Sequence, residues 1–154
     1  MNNTEYELCP ISDSEADRLR KAGGDIYIAD SVPGYPCRQC LCDAEIGEEL
    51  ILVSYDPFLT ESPYRSASPI FLHRSSCEPA GGAELPLQLT RRQLSVRSFD
   101  AAEVMIDAEV IDGAGLDAAL NRFFGSDETA RVRIHNAGRG CWATDVRRAE
   151  SAKA

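Results

Sequence analysis

Lysine is almost missing from this sequence: of its 16 lysine and arginine residues, only Lys21 and Lys153 are lysines. Genomic base composition explains that bias as well as function does. The alternative is that some arginines hold carboxylate or phosphate groups bidentately, which a guanidinium does better than an ammonium. A basic excess is missing too. With a formal net charge of −9 and a pI near 4.7, the chain lacks the basic stripe that displaces counterions from phosphates, which argues against nucleic acid as a partner. An anionic membrane surface is disfavoured on the same ground. No apolar run approaches the roughly 20 residues of a membrane span, and "LILV" at 50–53 is only strand-length. The opening "MNNTEYELCP" has neither a basic leader nor an apolar stretch of about 7 to 15 residues, so it does not read as a secretory signal. A cytoplasmic protein is expected, and in that compartment clustered thiols serve metal or redox chemistry more often than disulfides.

Repeats and low-complexity tracts are also absent, and the apolar (44%) and charged (27%) fractions are those of globular proteins. A chain of 154 residues buries roughly 68–70% of its unfolded surface, enough for a core without staples. We expect one domain over 1–149 and a tail at 150–154.

Cap-type and acidic residues followed by Gly-Gly in "SDSEADRLRKAGG" predict a short N-terminal helix over about 13–21, with a thin apolar stripe of Ala16 and Leu19. Short apolar or alternating runs at 25–30, 48–56, 69–73, 94–99 and 103–111 read as strands, the last two joined as a hairpin across Asp100–Ala102. Leu116, Leu120, Phe123 and Phe124 recur at one helical face that closes at Gly125. Two further strands, about 130–136 and 141–148, flank "AGRG". The expected class is therefore α+β, a mainly antiparallel sheet or half-open barrel with one packed helix. The segments 57–68 and 80–89 read as irregular loops, long enough to be functional.

Six cysteines are unevenly placed. Cys37-x-x-Cys40 can present two thiolates from one tight turn, and His73-x3-Cys77 supplies a second pair, the general layout of a closed tetrahedral zinc site. Thiolate and imidazole suit zinc rather than magnesium or calcium, and four protein donors leave no position open for catalysis. Leu41 stands where zinc knuckles commonly have glycine, and Cys42 is a spare thiol able to replace another donor. A redox CxxC and ordinary buried thiols are the competing readings. The redox case wants the first cysteine at the start of a long helix, whereas "CRQCLCDAEIGEE" runs into Gly47 and a strand.

"HNAGRGC" adds His135, Asn136 and Cys141, a possible thiol and base. A four-residue turn at 137–140 sets Asn136 opposite Cys141 and His135 opposite Trp142; a five-residue turn sets His135 opposite Cys141. Structural roles, a hydrogen-bonded histidine at a sheet end and a packed thiol, compete with the catalytic ones. In "SPYRSASP", Tyr64 and Arg65 lie on a proline-stiffened loop and could clamp a carboxylate or phosphate, with Arg38 as a second fork; pairing of these arginines with surface acids is the alternative.

The segments "PGYPCR…DAEIGEELILVSY", "SPYRSASPIF", "RSFDAAEVMIDAEVIDG" and "VRIHNAGRGCWATDV", taken in order across about 25–149, resemble the small bacterial family catalogued as domain of unknown function 1203. The resemblance implies a single-domain bacterial protein with Cys37, Arg38, Asp43, Tyr64, Arg65, His135, Asn136 and Cys141 in signature segments, and it implies no activity. Two function classes stay open. One is an enzyme on a small anionic molecule, held by Arg65 and Arg38, with His135 as acid or base beside Tyr64, Asn136 and Cys141. The other is a non-catalytic zinc-bearing binding or regulatory module whose acidic face meets a basic partner.

Overall fold

Two antiparallel sheets carry the chain in the computed structural model, which describes residues 5–81 and 84–149. The expected tail at 150–154 lies outside the described residues. In chain order the elements are β1 (Tyr6–Cys9), α1 (Asp13–Ala22), β2 (Asp25–Ile28), β3 (Glu49–Tyr55), β4 (Ser68–His73), α2 (Leu87–Thr90), β5 (Gln93–Phe99), β6 (Met105–Asp112), α3 (Leu116–Phe124), β7 (Arg131–Asn136) and β8 (Trp142–Arg148), with a 3-10 turn, Gly113–Gly115, leading into α3. The larger sheet runs β1-β8-β7-β5-β6 and the smaller β2-β3-β4. The expected single sheet is thus two, because the segment between β4 and β5 returns across the molecule instead of continuing the ladder.

Each sheet follows from its alternation. On β7, Val132 and Ile134 point to one face and join Leu94, Val96 and Val146; α3 covers them with Leu116, Leu120, Phe123 and Phe124. Full burial of each such side chain contributes about 1.5–3 kcal/mol. The other face meets the smaller sheet: Trp142, Ile51, Val53, Ile70 and Leu72 form a second core that also takes Ala16 and Leu19 from α1. That helix is capped by Ser12, whose Oγ accepts from the Glu15 N–H at 3.3 Å.

Three features depart from the sequence reading. β1 is a strand that "YELC" did not announce, held at the sheet edge by pairing with β8. A short helix, Leu87–Thr90, interrupts the stretch read as irregular over 80–89. Gly113 follows from that helix's position, since a Cβ there would stand 2.2 Å from the Leu89 carbonyl oxygen. Among the described residues no helix is long and apolar enough to cross a membrane.

Candidate metal centre and its surroundings

The loop 36–43 folds back on itself and lies against β4. Pro36 bridges Asp43, and Cys37 bridges Phe71; the Cys37 N–H donates to the Cys42 carbonyl at 3.0 Å and the Arg38 N–H to the Phe71 carbonyl at 3.0 Å. The turn requires a left-handed residue after the second cysteine. Leu41 takes it, with φ 57°, a conformation costing a non-glycine residue about 1–3 kcal/mol. Its side chain is fully buried in the core under α3, and the about 1.5–3 kcal/mol gained there offsets the strain.

This loop presents Cys37 and Cys40 toward His73 at the end of β4 and Cys77 just beyond. The four donor atoms all lie within 4.8 Å of one another. Cys37 Sγ is 3.8 Å from Cys77 Sγ, and Cys40 Sγ is 3.6 Å from His73 Nδ1. A disulfide would need about 2.05 Å. A tetrahedral ion with bonds of about 2.3 Å to sulfur and about 2.05 Å to nitrogen sets its ligands about 3.8 Å (S to S) and about 3.6 Å (S to N) apart. These two spacings match edges of such a tetrahedron, and all four donors are close enough to share one ion.

The surroundings support thiolate. The Gln39 and His73 amides both point at Cys37 Sγ from 3.4 Å, and an Arg20 nitrogen stands 4.0 Å from Cys77 Sγ. Hydrogen bonds from Cys40 and then Cys77 hold the Cys37 thiol far below its ordinary value. Bonding to Cys37 pushes the Cys40 and Cys77 thiols up. Three thiols crowded together thus let one ionise readily, and a divalent cation is what allows all three to be anionic. His73 is raised to about 8, first by its hydrogen bond with Cys37. Its other nitrogen, Nε2, lies 3.1 Å from Glu48 Oε1, the carboxylate support that orients metal-bound imidazoles. Glu48 is held in turn by the Glu45 N–H at 2.7 Å. A cleft of about 340 Å³ lined by Glu48, Glu49, His73, Ser75, Ser76 and Cys77 opens beside the cluster. Cys42 is exposed, its sulfur beside the Cys40 carbonyl at 3.7 Å, outside the group of four.

Arg38, between the first two ligands, is only 1% exposed. Its Nε donates to the Trp142 carbonyl at 2.8 Å, Nη1 to the Pro36 carbonyl at 2.6 Å, and Nη2 faces Cys141 Sγ at 3.2 Å. The guanidinium ties the cysteine loop to β8 and offers no fork to solvent. Asn136 completes this group, with Nδ2 3.5 Å from Cys141 Sγ. The four-residue turn is the one formed: Asn136 N–H donates to the Cys141 carbonyl at 2.9 Å, and His135 pairs with Trp142. His135 is accordingly on the other side of the sheet from Cys141, 5% exposed, with Nδ1 2.9 Å from the Gly140 carbonyl. Burial, then Arg97, Arg133 and Arg38, lowers it to about 4, against a smaller opposing effect of the Gly140 carbonyl.

Tyr64 and Arg65 are elsewhere. Tyr64 is half-exposed with its ring 6.2 Å from Phe99; Arg65 pairs with Asp56 at 2.6 Å and with Glu61. Phe99 and the Ser95–His135 pair are four residues apart along β5, about 13 Å. The structure therefore brings Arg38, Asn136 and Cys141 together, puts His135 on the opposite side of the sheet but within reach of the Arg38 charge, and sets Tyr64 and Arg65 apart from all of them.

Several polar residues carry more than the sequence suggested. Glu48 and Gln39 serve the cluster: Gln39 Oε1 accepts from Arg20 at 2.6 Å while its Nε2 donates to Asp13 at 2.7 Å. Arg133, fully buried, stacks under Phe58 at 4.1 Å and pairs with Glu103 and Asp145. The only available signal was its place two residues before His135 in an alternating strand.

The chain has no significant match among curated proteins or solved structures. A family model described as "Protein of unknown function (DUF1203)" matches residues 34–148, from the start of the cysteine loop to the end of β8, with all four candidate ligands and Arg38, His135 and Cys141 inside it. By that match over most of its length, the chain belongs to the DUF1203 family.

Proposed function

We propose that this is a zinc protein in which the ion is structural, held by Cys37, Cys40, His73 and Cys77. The observation that carries the reading is the pair of donor spacings, 3.8 Å and 3.6 Å, which match the edges of a zinc tetrahedron (about 3.8 and 3.6 Å). Three sulfurs and one imidazole suit zinc over harder cations, and four protein donors close the coordination sphere.

What such an ion would hold is the junction of the molecule. From the loop 37–39, backbone groups reach Ile11 (3.2 Å), Phe71 (3.0 Å) and Ala80 (2.9 Å), and the Cys37 carbonyl accepts from Gln88 of α2 at 3.1 Å. With Arg38 on the Trp142 carbonyl, one loop joins the α1 entry, the smaller sheet, α2 and β8. Zinc would lock that junction, as structural zinc supplies folding energy directly. The non-catalytic, metal-bearing class is thus favoured over an enzyme built on Tyr64, Arg65 and His135. Elemental analysis of protein purified under reducing, chelator-free conditions tests this: one zinc per chain is expected, and clearly substoichiometric metal refutes it.

A further inference from the structure

The face of the larger sheet that carries His135 holds an imbalance of charge. On β5 and β7, Arg97 stands directly opposite Arg133, and Ser95 opposite His135 in the pair next on the same face. Like charges directly opposite on neighbouring strands are unfavourable. Of the charged side chains on that face, Arg131, Arg133 and Arg97 lie with two carboxylates, Glu103 and Asp145, while Arg38 of the cysteine loop adds a further positive charge near His135. Arg131 lies 3.1 Å from Asp145 Oδ2 and Arg133 Nε 3.3 Å from Asp145 Oδ1, with Arg133 Nη2 on Glu103. Three cations against two anions leave one positive charge over, and it is Arg97's. Its Nε donates to Ser95 Oγ at 3.0 Å, and no carboxylate among the described residues pairs with it.

Arg133 supplies the second observation. It is 0% exposed, and among the described residues neither its Nη1 nor its Nε has a hydrogen-bond partner, although Nε keeps the ion pair with Asp145. A guanidinium is planar, so Nε and Nη2 share one edge and Nη1 lies on the other. Asp145 stands at Nε as an ion-pair partner, and Glu103 and the Pro57 carbonyl both accept from Nη2, so none of them takes a proton of Nη1. A buried donor without a partner costs about 1–3 kcal/mol, in a protein whose overall charge of −9 could easily have supplied an acid. His135 adds the third group: with Nδ1 against the Gly140 carbonyl, the neutral ring keeps its proton there and leaves Nε2 as an acceptor.

We propose that Arg97, Arg133 and His135 form a binding site for a small phosphate-type oxyanion. Two arginine donors take its oxygens in charge-assisted hydrogen bonds, and His135 Nε2 accepts from a P–OH, a donor that a carboxylate lacks. Arg97, which is partly exposed, is the point of entry. The site shares no residue with the metal cluster and is independent of the zinc reading.

The test uses the full chain as purified, ¹⁵N-labelled, titrated with inorganic phosphate at constant ionic strength, and with acetate in parallel. Phosphate is expected to give saturable shifts with one midpoint at Arg97, Arg133 and His135, and acetate to bind at least about tenfold more weakly. Arg97→Gln is expected to raise the phosphate midpoint at least about tenfold, the loss of a charge-assisted contact. Arg122→Gln, an exposed α3 residue paired with Glu109 and not on the face that carries His135, should leave it unchanged. Non-saturating shifts in the wild type, saturable shifts centred on other residues, equal binding of acetate, or an unchanged midpoint in R97Q would each overturn the proposal. The wild-type titration decides by itself if R97Q does not fold.

Discussion

Replacing Glu48 by glutamine probes the metal reading without touching a ligand. The carboxylate lies 3.1 Å from His73 Nε2, and removal of such a partner weakens metal binding by about 10- to 100-fold. Where in that range this substitution falls follows from exposure. The Glu48 side chain is 47% exposed and His73 only 15%, so water screens the pair from one side and can replace the lost acceptor. The Glu45 N–H nevertheless fixes the carboxylate in place at 2.7 Å, and a glutamine oxygen can keep that bond while losing the charge. The lower end, about tenfold or about 1.4 kcal/mol, is therefore expected. Competition for zinc against a chromophoric chelator at neutral pH measures it. Glu49→Gln is the control, because Glu49 lines the same cleft but pairs with Arg74, and its affinity should match the wild type. The reasoning fails if Glu48→Gln binds zinc as tightly as the wild type, or if Glu49→Gln weakens binding equally.

His135 makes a prediction about acid stability. In the unfolded chain it takes a proton near 6.5, in the native chain near 4. Between those values the unfolded state holds more protons, so stability falls as pH drops through the window, by up to about 3 kcal/mol. Protonation of the metal ligands acts on wild type and His135→Gln alike, so the difference between their urea midpoints from pH 7 to 4 isolates this residue, and parallel curves refute it. Glu103 should matter more to stability than its position in a hairpin turn suggests. It is buried, has φ 62°, pairs with Arg133, and accepts from the Leu59 and Thr60 N–H groups at 2.9 and 2.6 Å. Glu103→Ala leaves a buried guanidinium short of a partner and is expected to cost about 3–5 kcal/mol by chemical denaturation; a cost below 1 kcal/mol, roughly that of an exposed pair, would show that the pair is solvated.

Local chemistry made much of the fold legible. α3 was visible in the spacing of Leu116, Leu120, Phe123 and Phe124, all buried as that face requires, and the β5–β6 hairpin in its turn residues. The four candidate ligands were visible because two close pairs of thiol and imidazole donors carry the spacing of a zinc site. The rest depended on long-range packing. β1 has four residues and gains its strand from β8, more than a hundred positions away. Arg131, Arg133 and His135 alternate with Val132 and Ile134, which locally describes a wet face and a dry one. Arg133 and His135 are nevertheless buried, Arg133 beneath Phe58 and the Pro57 carbonyl, and nothing in "VRIH" could reveal that. Arg38 was misjudged for a similar reason: a guanidinium beside a metal ligand suggests a fork for a ligand in solution, whereas the Pro36 carbonyl of its own loop and two acceptors on one distant segment, Cys141 and Trp142, draw it inward.

X-ray absorption at the zinc edge, on protein purified without chelator, addresses the central claim most directly. The account predicts one zinc per chain with three sulfurs at about 2.3 Å and one nitrogen at about 2.0 Å, and loss of one sulfur in Cys77→Ser but not in Cys42→Ser. A first shell of nitrogen and oxygen alone, a fourth sulfur contributed by Cys42, or protein that folds fully without any metal would contradict it.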